Sequence, residues 1–415
     1  MERDFKEDAE YPKMLDNIDP LRQFKHRFYQ PEGENYLCGH SIGLTSINAE
    51  KKLIKLLELW KKDGIGFWSY GNSKYMKYSS ILAELMAPLI KVQPNEIVIS
   101  GSCTSNIHVA MCTLYKPTCN KYKVLVDDIN FASDRYAVDS QVKLKGLNPV
   151  NAVKVVNSQG NFMNEDLIIN SMTPDVALLL LPAVYYKTAQ FLQLKKICEK
   201  ANEFNIIIGL DLSHAIGVVD LHLEILNIDF AVWSAYKYLN GGPGSCAGLY
   251  INKKHFHLTP GLAGWYGNRN ETRLQFKQEF DQQRDANGWQ IGTPCLFSMA
   301  PLKGSLEIFK EAGISNIRKK SLHITVYLMY LVDKKLVHYG FSVGNLREDE
   351  KRGGHVSITH EHGQRITLAL KNRGIVIDFR EPDIMRVAPI ALYTTYEQVY
   401  EFVEILLDIM KNNEY

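Results

Sequence analysis

Short runs of apolar residues, most of them ending in polar residues, recur between Glu96 and Trp233. The runs are EIVIS, KVLVDD, AVKVVN, VALLLLP, IIIGLD and FAVW. Helical patterns separate several of them, such as the amphipathic segment QLKKICEKANEF before IIIGLD. Continuous apolar runs of four to seven residues that alternate with helices are typical of strands buried in a mostly parallel sheet. The pattern predicts an α/β domain with right-handed crossovers.

The patterns on either side of this region differ from it. Before it, apolar residues at helical spacing predict a helix over 49–60, and a second helix is expected over 75–90 after an aromatic, glycine-bearing loop at 64–71. After Pro301 the pattern is helical through about residue 335. Short strands in HVSITHE, IVIDF and MRVAP then mix with helices predicted over 364–372 and 396–411. The C-terminal part therefore predicts a smaller α+β domain.

These patterns predict the domain organisation. We expect residues 1–70 to contribute to the small domain and to an active-site loop, residues 71–310 to form the large α/β domain, and residues 311–415 to form the small domain. A chain of 415 residues can bury a core of this size.

Composition narrows the class of protein. A formal net charge of +2 gives no reason to expect binding to nucleic acid or to a membrane surface, and no apolar run approaches the length that crosses a bilayer. The seven cysteines are scattered without a C-x-x-C pair, which indicates a reducing compartment. The charged start MERDFKEDAEYPKM is unlike a signal peptide. We expect a cytoplasmic protein.

Candidate chemistry is concentrated between Ile206 and Gly244. Asp211 ends one apolar run, His214 follows three residues later, and Lys237 follows the next run. Because the carboxyl ends of parallel strands meet at one edge of a sheet, the carboxylate and the amine are expected there together. An aldehyde cofactor with a basic ring nitrogen needs this pair. Taken singly, such a Lys is more often solvated, and such an Asp commonly fills a turn.

Three further motifs have competing interpretations. SGSCTSN, from Ser100, lies between a strand and a helix, where it predicts either a phosphate site or a simple helix cap at Ser102 or Thr104. GGPGSCAG follows Lys237 instead of opening a βαβ unit, so it does not predict a dinucleotide site. The histidines at 355, 360 and 362 lack further evident ligands, and no metal is expected.

Motifs in one order along nearly the whole chain resemble the kynureninases, a family of fold-type I enzymes that use pyridoxal 5'-phosphate (PLP). The motifs are YLCGHSIGL, DLSHAIG, WSAYKYLNGGPG, GLAGWYG, NGWQIGTP and DFREPDIMRVAPIALY. The resemblance implies an aspartate aminotransferase-like fold and a homodimer. It also implies hydrolysis of L-kynurenine or 3-hydroxy-L-kynurenine at the Cβ–Cγ bond to an anthranilate and L-alanine.

The resemblance assigns catalytic roles to three residues. Lys237 would form the Schiff base with the cofactor and remove the substrate α-proton. Asp211 would hold the pyridine nitrogen protonated, and Tyr236 would reach the cofactor phosphate and move a proton. For the substrate, Arg386 would clamp the carboxylate in a bidentate manner, and His40 would lie near the aryl group.

The remaining cofactor-binding residues also follow from the resemblance. Two of them, Trp265 and Thr293, would complete the cofactor or substrate site across a dimer interface. The full set expected to contact the cofactor, besides the catalytic three, is Cys103, Thr104, Phe131, Ser133, Asp134, His214, Trp265 and Thr293. For Phe131, Ser133 and Asp134, within NFASDRYA, the alternative is a plain helix start.

Some positions depart from the family pattern. His40 stands where Asn is expected and Asn268 where His is expected, while Lys187 and Ala189 replace a more usual Tyr and Gly. These departures leave open the choice between kynurenine and its 3-hydroxy form. They also leave open a role in tryptophan catabolism, NAD supply or anthranilate supply.

Two alternative functions are compatible with parts of the sequence. A cysteine desulfurase-like lyase or an aminotransferase would share the cofactor, but Cys246 and Cys295 lack a distinctive reactive context. A non-catalytic scaffold with the same fold is disfavoured because Lys237 and Asp211 are both present.

Overall fold

The computed structural model describes residues 4–415, without the side chains of residues 72 and 73. Its α-helices are α1 (Glu10–Ile18), α2 (Ile47–Asp63), α3 (Tyr70–Ser73), α4 (Tyr78–Ile90), α5 (Cys103–Leu114), α6 (Ala132–Leu144), α7 (Pro149–Ala152), α8 (Glu165–Asn170), α9 (Leu194–Glu203), α10 (Leu296–Ala312), α11 (Ile314–Lys335), α12 (Gly363–Asn372) and α13 (Tyr396–Asn412). Its strands are β1 (Asn35–Tyr36), β2 (Ile97–Ile99), β3 (Lys123–Asp127), β4 (Val153–Val156), β5 (Val176–Pro182), β6 (Ile207–Asp211), β7 (Phe230–Trp233), β8 (Gly248–Ile251), β9 (Ser342–Val343), β10 (Val356–Thr359), β11 (Ile375–Val376), β12 (Asp378–Arg380) and β13 (Ile384–Val387).

A seven-stranded sheet forms the centre of the large domain. Its strand order is β2-β8-β7-β6-β5-β3-β4, and the strands from β7 to β4 pair in parallel. Only β8 runs antiparallel to its neighbours β7 and β2 within the described sheet. The predicted mostly parallel sheet, and with it the fold-type I α/β class, is confirmed.

Strand β5 shows why the apolar runs are continuous. All of its residues are buried. Leu179 and Leu181 pack into one hydrophobic cluster, whereas Leu178 and Leu180 pack into another on the opposite face of the sheet. Helices cover both faces, so neither face of the strand keeps a polar alternation.

The C-terminal part contains a four-stranded antiparallel sheet of order β12-β13-β10-β9. Its core includes Ile324 of α11, Val356 of β10 and Phe402 of α13, and Phe5 near the start of the chain joins the same cluster. The start of the chain is also held by β1, which pairs in parallel with β11. The start of the chain therefore packs on the small α+β domain, whereas Phe24, Leu44 and Leu56 join the cluster of the large domain. The proposed division at residues 70 and 310 stays a prediction.

The local structure differs from the sequence prediction in three places. The predicted loop at 64–71 forms a 3-10 helix, Gly64–Ser69, followed by α3. The next helix begins at Tyr78 instead of Tyr75, whose ring stacks on Phe67. The predicted strand HVSITHE ends at Thr359, because His360 turns back to donate its N–H to the Asp383 carbonyl. Local aromatic packing and hydrogen bonds in turns therefore decide where these helices and this strand begin and end.

Among the helices of residues 4–415, none is both long enough and apolar enough to cross a bilayer.

Candidate active site

The candidate site lies beyond the carboxyl ends of the central parallel strands. Asp211 is the last residue of β6 and pairs in register with Val232 of β7. Strand β7 ends at Trp233, and a tight turn follows in which the Asn240 N–H donates to the Lys237 carbonyl. The parallel pairing therefore brings the Asp211 and Lys237 segments to one edge of the sheet, as the alternating pattern predicts.

The Lys237 amine is enclosed by three side chains. Its Nζ lies 3.1 Å from Nε2 of His214. The ring centroids of Phe131 and Tyr236 each lie 5.9 Å from the same Nζ. Burial lowers the pKa of Lys237, and the nearby Asp211 carboxylate only partly opposes this. A lowered pKa increases the neutral fraction of the amine, which is the form that attacks an aldehyde.

Two buried carboxyl groups face each other below this amine. Asp211 Oδ1 accepts from the Ser213 backbone N–H at 2.8 Å and from the Cys103 thiol at 3.9 Å. Asp134 Oδ2 accepts from Asn130 Nδ2 at 3.0 Å. Burial, and then the negative Asp211, raises the pKa of Asp134 well above its usual range. This carboxyl pair suits a cation such as a protonated pyridine, which fits the expected cofactor.

The N-terminus of α5 provides a candidate phosphate site. The Ser102 hydroxyl accepts from the Ser105 N–H, so the helix-cap interpretation at Ser102 is confirmed. The cap satisfies one N–H of the first turn, and the helix start remains an anion-binding element. Beside it, the hydroxyls of Thr104 and Ser133 lie 2.7 Å apart. The structure thus joins two of the predicted cofactor residues, one from α5 and one from α6.

Arg386 lies opposite, on β13, and is only 2% exposed. Its Nε donates to Asp378 Oδ1 at 2.7 Å, and its Nη2 donates to the other oxygen of the same carboxylate. Nη1 donates to the Tyr186 carbonyl at 2.8 Å, and Nη2 also donates to the Ser41 hydroxyl at 3.0 Å. The guanidinium is therefore held in a fixed orientation by residues from three separate parts of the chain.

The Asp378 carboxylate balances this cation. Burial by itself would raise the pKa of Asp378, but the facing His40 and Arg386 side chains hold it well below its usual range. A carboxylate that stays ionised keeps Arg386 in place at all ordinary pH values. Sequence reasoning had not singled out Asp378. The two residues pair across β12 and β13, which only the sheet register reveals.

Three histidines meet between Arg386 and Lys237. The His40 ring stacks on His355 with centroids 5.0 Å apart and an interplanar angle of 25°. The centroids of His214 and His355 lie 5.8 Å apart, and those of His40 and His214 lie 6.3 Å apart. Burial, aided by Arg386, lowers the pKa of His40 to about 4. All three rings are therefore in a setting that favours neutral imidazole.

His355 is a site residue that the sequence analysis does not single out. Its ring lies against His40 and His214, and not with His360 and His362. His360 accepts from the His362 backbone N–H in a turn beyond β10. Across residues 4–415, no group of three His, Cys, Asp or Glu side chains is arranged to hold a metal ion. His355 directly precedes β10, and nothing in the sequence around it indicates its contact with His40.

Trp265 and Thr293 lie elsewhere on the surface. Trp265 is 40% exposed and its ring packs on Tyr266. Thr293 lines an apolar surface cavity together with Phe67 and Phe297. In the described part of the chain, neither residue has a hydrogen bond or ring contact with Lys237 or the carboxyl pair. One chain alone does not bring these two predicted residues together with the others.

The positions that depart from the family pattern also have defined places. Asn268 donates to the Trp265 carbonyl at 3.0 Å, so it supports the surface loop. Lys187 Nζ donates to the Glu381 carbonyl at 3.2 Å, and Ala189 adopts a positive φ of 56°. That backbone region favours Gly, the residue expected there.

Comparisons with known proteins identify the family. The family model described as "Kynureninase C-terminal domain" matches residues 317–406. The chain is 47% identical to a kynureninase of Bacillus thuringiensis over 99% of this chain and 96% of that protein. It is 44% identical to a kynureninase of Geobacillus thermodenitrificans over 98% of this chain and 95% of that protein.

Solved structures support the fold. A C-DES mutant with glycine covalently linked to the PLP cofactor superposes with a TM-score of 0.79 at 16% identity, covering 92% of this chain and 99% of that chain. The cysteine desulfurase CsdA of Escherichia coli gives a TM-score of 0.77 at 16% identity, covering 96% and 100%. At this identity the likeness concerns the fold alone, whereas the full-length similarity to curated proteins is decisive: the chain belongs to the kynureninase family.

Proposed function

We propose that the protein hydrolyses the Cβ–Cγ bond of L-kynurenine or 3-hydroxy-L-kynurenine with PLP as its cofactor. Anthranilate or 3-hydroxyanthranilate and L-alanine are the products. The observation that carries this proposal is the Lys237 amine, of lowered pKa, beside the buried carboxyl pair of Asp134 and Asp211 in a chain of this family.

The residues around Lys237 fit each part of the cofactor. Asp211, with Asp134 behind it, would hold the ring nitrogen. Cys103 and Thr104 at the start of α5, with Ser133 and Tyr236, would hold the phosphate. Phe131 and His214 would flank the ring. When bound, PLP supplies an electron sink for negative charge that develops on the substrate carbon next to its amine.

The chain's own residues would then carry out the proton transfers. The neutral Lys237 amine would take the α-proton as a general base. His214, whose Nε2 lies 3.1 Å from Nζ, would hold the amine in position at the edge of the sheet. Tyr236 directs its ring toward the same amine and is placed to return a proton to the β-carbon. The bidentate edge of Arg386 formed by Nε and Nη2 is taken by Asp378, and the second Nη2 N–H donates to Ser41. Arg386 would therefore bind the substrate carboxylate through the Nη1 N–H that does not donate to the Tyr186 carbonyl.

The alternative PLP reaction, that of a cysteine desulfurase, is not favoured by the surroundings of the Cys103 and Cys246 thiols. A desulfurase needs an activated cysteine. Burial, and then the Asp211 carboxylate, raises the pKa of Cys103 well above its usual value. Burial also raises the pKa of Cys246, whose Sγ lies 2.9 Å from the Ser298 hydroxyl. Neither thiol is in the setting of a nucleophile.

The first experiment is an absorbance scan of the protein with PLP, followed by addition of L-kynurenine. We expect a visible band from the lysine-bound cofactor, its loss in Lys237→Ala, and release of fluorescent anthranilate. The exposed Lys253 gives a matched control, since Lys253→Ala should keep both signals. A protein that takes up no PLP would contradict the proposal, whereas a band without anthranilate would direct the search to 3-hydroxykynurenine.

We also propose that the active form is a homodimer. Trp265 and Thr293 are expected at the site, yet in one chain they lie on the surface. Large apolar side chains are exposed near Thr293, among them Trp60, Ile65 and Phe297. A second copy that covers this surface would remove it from water and deliver these residues to the partner's site.

Light scattering after size exclusion tests the dimer. We expect about twice the monomer mass of 47.4 kDa. Phe297→Asp should yield monomers with little activity, while the surface change Leu368→Asp on α12 should not. An active monomer would refute this assembly.

We also propose that the protein is cytoplasmic, because its cysteines are free. All seven are free thiols in the structure, as is usual in a reducing compartment. Fractionation of the source cells tests it, and recovery of the protein outside the cytoplasm would contradict it.

A further inference from the structure

We propose that His40, His214 and His355 form a binding site for one water molecule, and that this water is the one consumed in the hydrolysis. The inference rests on the proposed function, because only a hydrolytic reaction requires water next to Lys237. It assigns a role to His355 and a second role to His40.

The three rings enclose a small space beside the reacting amine. Their centroids are 5.0, 5.8 and 6.3 Å apart, and each residue is at least nine-tenths buried. His214 Nε2 lies 3.1 Å from Lys237 Nζ. A molecule held among these rings would therefore lie within a few ångströms of the substrate carbons bound over Lys237.

Nitrogen atoms on these rings lack partners. In the part of the chain that the structure describes, both ring nitrogens of His40, Nδ1 of His214 and Nε2 of His355 are buried without a hydrogen-bond partner. Unpaired buried polar atoms are rare in folded proteins, and such groups are commonly satisfied by ordered water. Four in one cluster indicate a polar ligand.

The tautomers make the set complementary to water. The hydrogen bond between Lys237 Nζ and His214 Nε2 leaves His214 Nδ1 as a donor when Lys237 donates. Nε2 of His40 lies 3.3 Å from Asp378 Oδ1 in an ion-pair contact, and a proton on this Nε2 leaves Nδ1 as an acceptor. We assign these two tautomers to the water-binding state. One water can accept from His214 and donate to His40 at the same time.

The surroundings favour a neutral ligand. Burial and the nearby Arg386 lower the pKa of the His40 and His355 imidazoles, so they stay uncharged. His355 closes the space by stacking on His40, and its Nδ1 lies 3.3 Å from the Tyr238 hydroxyl. The backbone carbonyl of Lys187 also faces the His355 ring. The cluster therefore presents donors and acceptors without a net charge.

The water addition balances without another reactant. The water oxygen bonds to the γ-carbonyl carbon of the substrate, and the carbonyl π electron pair moves to the carbonyl oxygen. As the water O–H bond breaks, its electron pair stays on the water oxygen. His40 Nδ1 takes the proton and then gives it to the carbonyl oxygen, so that His40 is neutral again and the carbonyl is hydrated. His40 thus orients the water so that its lone pair faces the carbon.

Two variants of His40 separate this role from packing. His40→Asn keeps an acceptor oxygen, whereas His40→Leu removes the acceptor. Both are compared in hydrolysis and in α-deuterium exchange of L-alanine in D2O, a reaction that uses Lys237 and PLP but adds no water. We expect His40→Leu to lower kcat for hydrolysis by roughly 10²-fold and to leave exchange within about twofold. His40→Asn should stay within about tenfold in hydrolysis.

Several outcomes would overturn the water site. Equal hydrolysis by the Leu and Asn variants would remove the need for an acceptor, and a parallel loss of hydrolysis and exchange would show a general positioning role. His362→Asn, an exposed histidine change, should alter neither reaction. Wild-type protein that exchanges alanine but releases neither anthranilate from L-kynurenine nor 3-hydroxyanthranilate from its 3-hydroxy form would instead contradict the proposed function.

Nitrogen-15 NMR of the histidines gives a readout independent of turnover and of whether His40→Leu folds. In the PLP-loaded wild-type protein, His40 should be the neutral Nε2–H tautomer. An Nδ1–H tautomer would leave no acceptor for the water and would overturn the proposal.

Discussion

The two halves of the site differ in charge and in origin. The half beside Lys237 holds Asp211 at the end of β6 and Asp134 in the first turn of α6, and no cationic side chain forms an ion pair with either within the described residues. Burial and the negative Asp211 raise the pKa of Asp134, so the two carboxyl groups share about one negative charge. The half around Arg386 and Asp378 comes from the small domain and the N-terminal segment, and its charges are paired. The first half suits a cationic ring, and the second suits a substrate carboxylate.

The difference shows how one pocket serves two ligands. An unpaired carboxylate is costly in a buried site unless a cation binds to it. A guanidinium fixed by its own carboxylate loses little freedom when it binds another. We therefore expect changes in the first half to affect cofactor chemistry and changes in the second to affect folding and substrate affinity.

The largest loss of activity is expected from a change to Asp211, in the half of the site beside Lys237. Asp211→Asn keeps the shape but removes the charge that would hold a protonated pyridine nitrogen, so kcat should fall by roughly 10³-fold. Steady-state kinetics with saturating PLP measure this. Asp166→Asn, an exposed change on α8, is the control. A variant with near-normal kcat would show that Asp211 does not act on the cofactor ring.

A change in the paired half, around Arg386 and Asp378, should lower the free energy of unfolding of the protein. Asp378→Asn leaves the buried Arg386 without its counter-charge, and the free energy of unfolding should fall by about 3 kcal/mol. KM should rise by roughly tenfold, because the guanidinium is no longer held in place. Denaturant unfolding and kinetics measure the two effects.

The matched control for this change is a surface pair of the same type. Arg347 and Asp333 are joined by two hydrogen bonds, yet both side chains are about half exposed. Asp333→Asn should change stability by less than about 1 kcal/mol. Equal losses in the two variants would contradict the role of burial.

The histidines of the paired half predict a pH dependence. The pKa of His40 is about 4 in the folded protein against an ordinary value of 6.5. The unfolded chain therefore binds more protons between pH 6.5 and 4, and stability falls as the pH drops through that window. From pH 7 to pH 5, His40 should account for a loss of about 2 kcal/mol.

Unfolding of the PLP-loaded wild type and His40→Asn at both pH values measures this term. The variant should lose less stability on acidification, since Asn does not titrate. Burial also lowers the pKa of His214 and His355, so part of the slope should remain. Identical slopes in the two proteins would mean that His40 is not held neutral by burial.

The smallest effect concerns the phosphate region. Thr104→Val removes the hydroxyl that lies 2.7 Å from the Ser133 hydroxyl. One neutral hydrogen bond is worth about 1 kcal/mol, so the Kd of PLP should rise about fivefold with little change in kcat. Fluorescence titration measures it, and Thr367→Val on α12 is the control. An unchanged Kd would exclude Thr104 from the phosphate site.

Much of the site could be predicted from short segments. Asp211 and His214 share one segment, Tyr236 and Lys237 another, and each follows a buried strand. The apolar runs predict parallel strands, and parallel strands end at one edge, so the two segments meet without knowledge of the rest of the chain. The family and the fold class predicted from these motifs are confirmed.

The other half could not be predicted in this way. His40 and His355 are more than 300 residues apart in the sequence, and their stacking follows from packing the N-terminal segment against β10. Asp378 meets Arg386 only because β12 and β13 pair in one particular register. The sequence gives His355 no role, because the spacing of residues along a strand does not show which side chains pack against it.

By itself, the sequence determined the alternation of buried strands and helices and the family. It also determined the carboxylate and the amine that lie at or just beyond the ends of two neighbouring strands. These are local properties, because an apolar run and the residue after it fold together. Only the tertiary structure decided the partners of Arg386, the contacts of His355 and the surface position of Trp265 and Thr293. Those depend on long-range packing and sheet register, which no short stretch of sequence encodes.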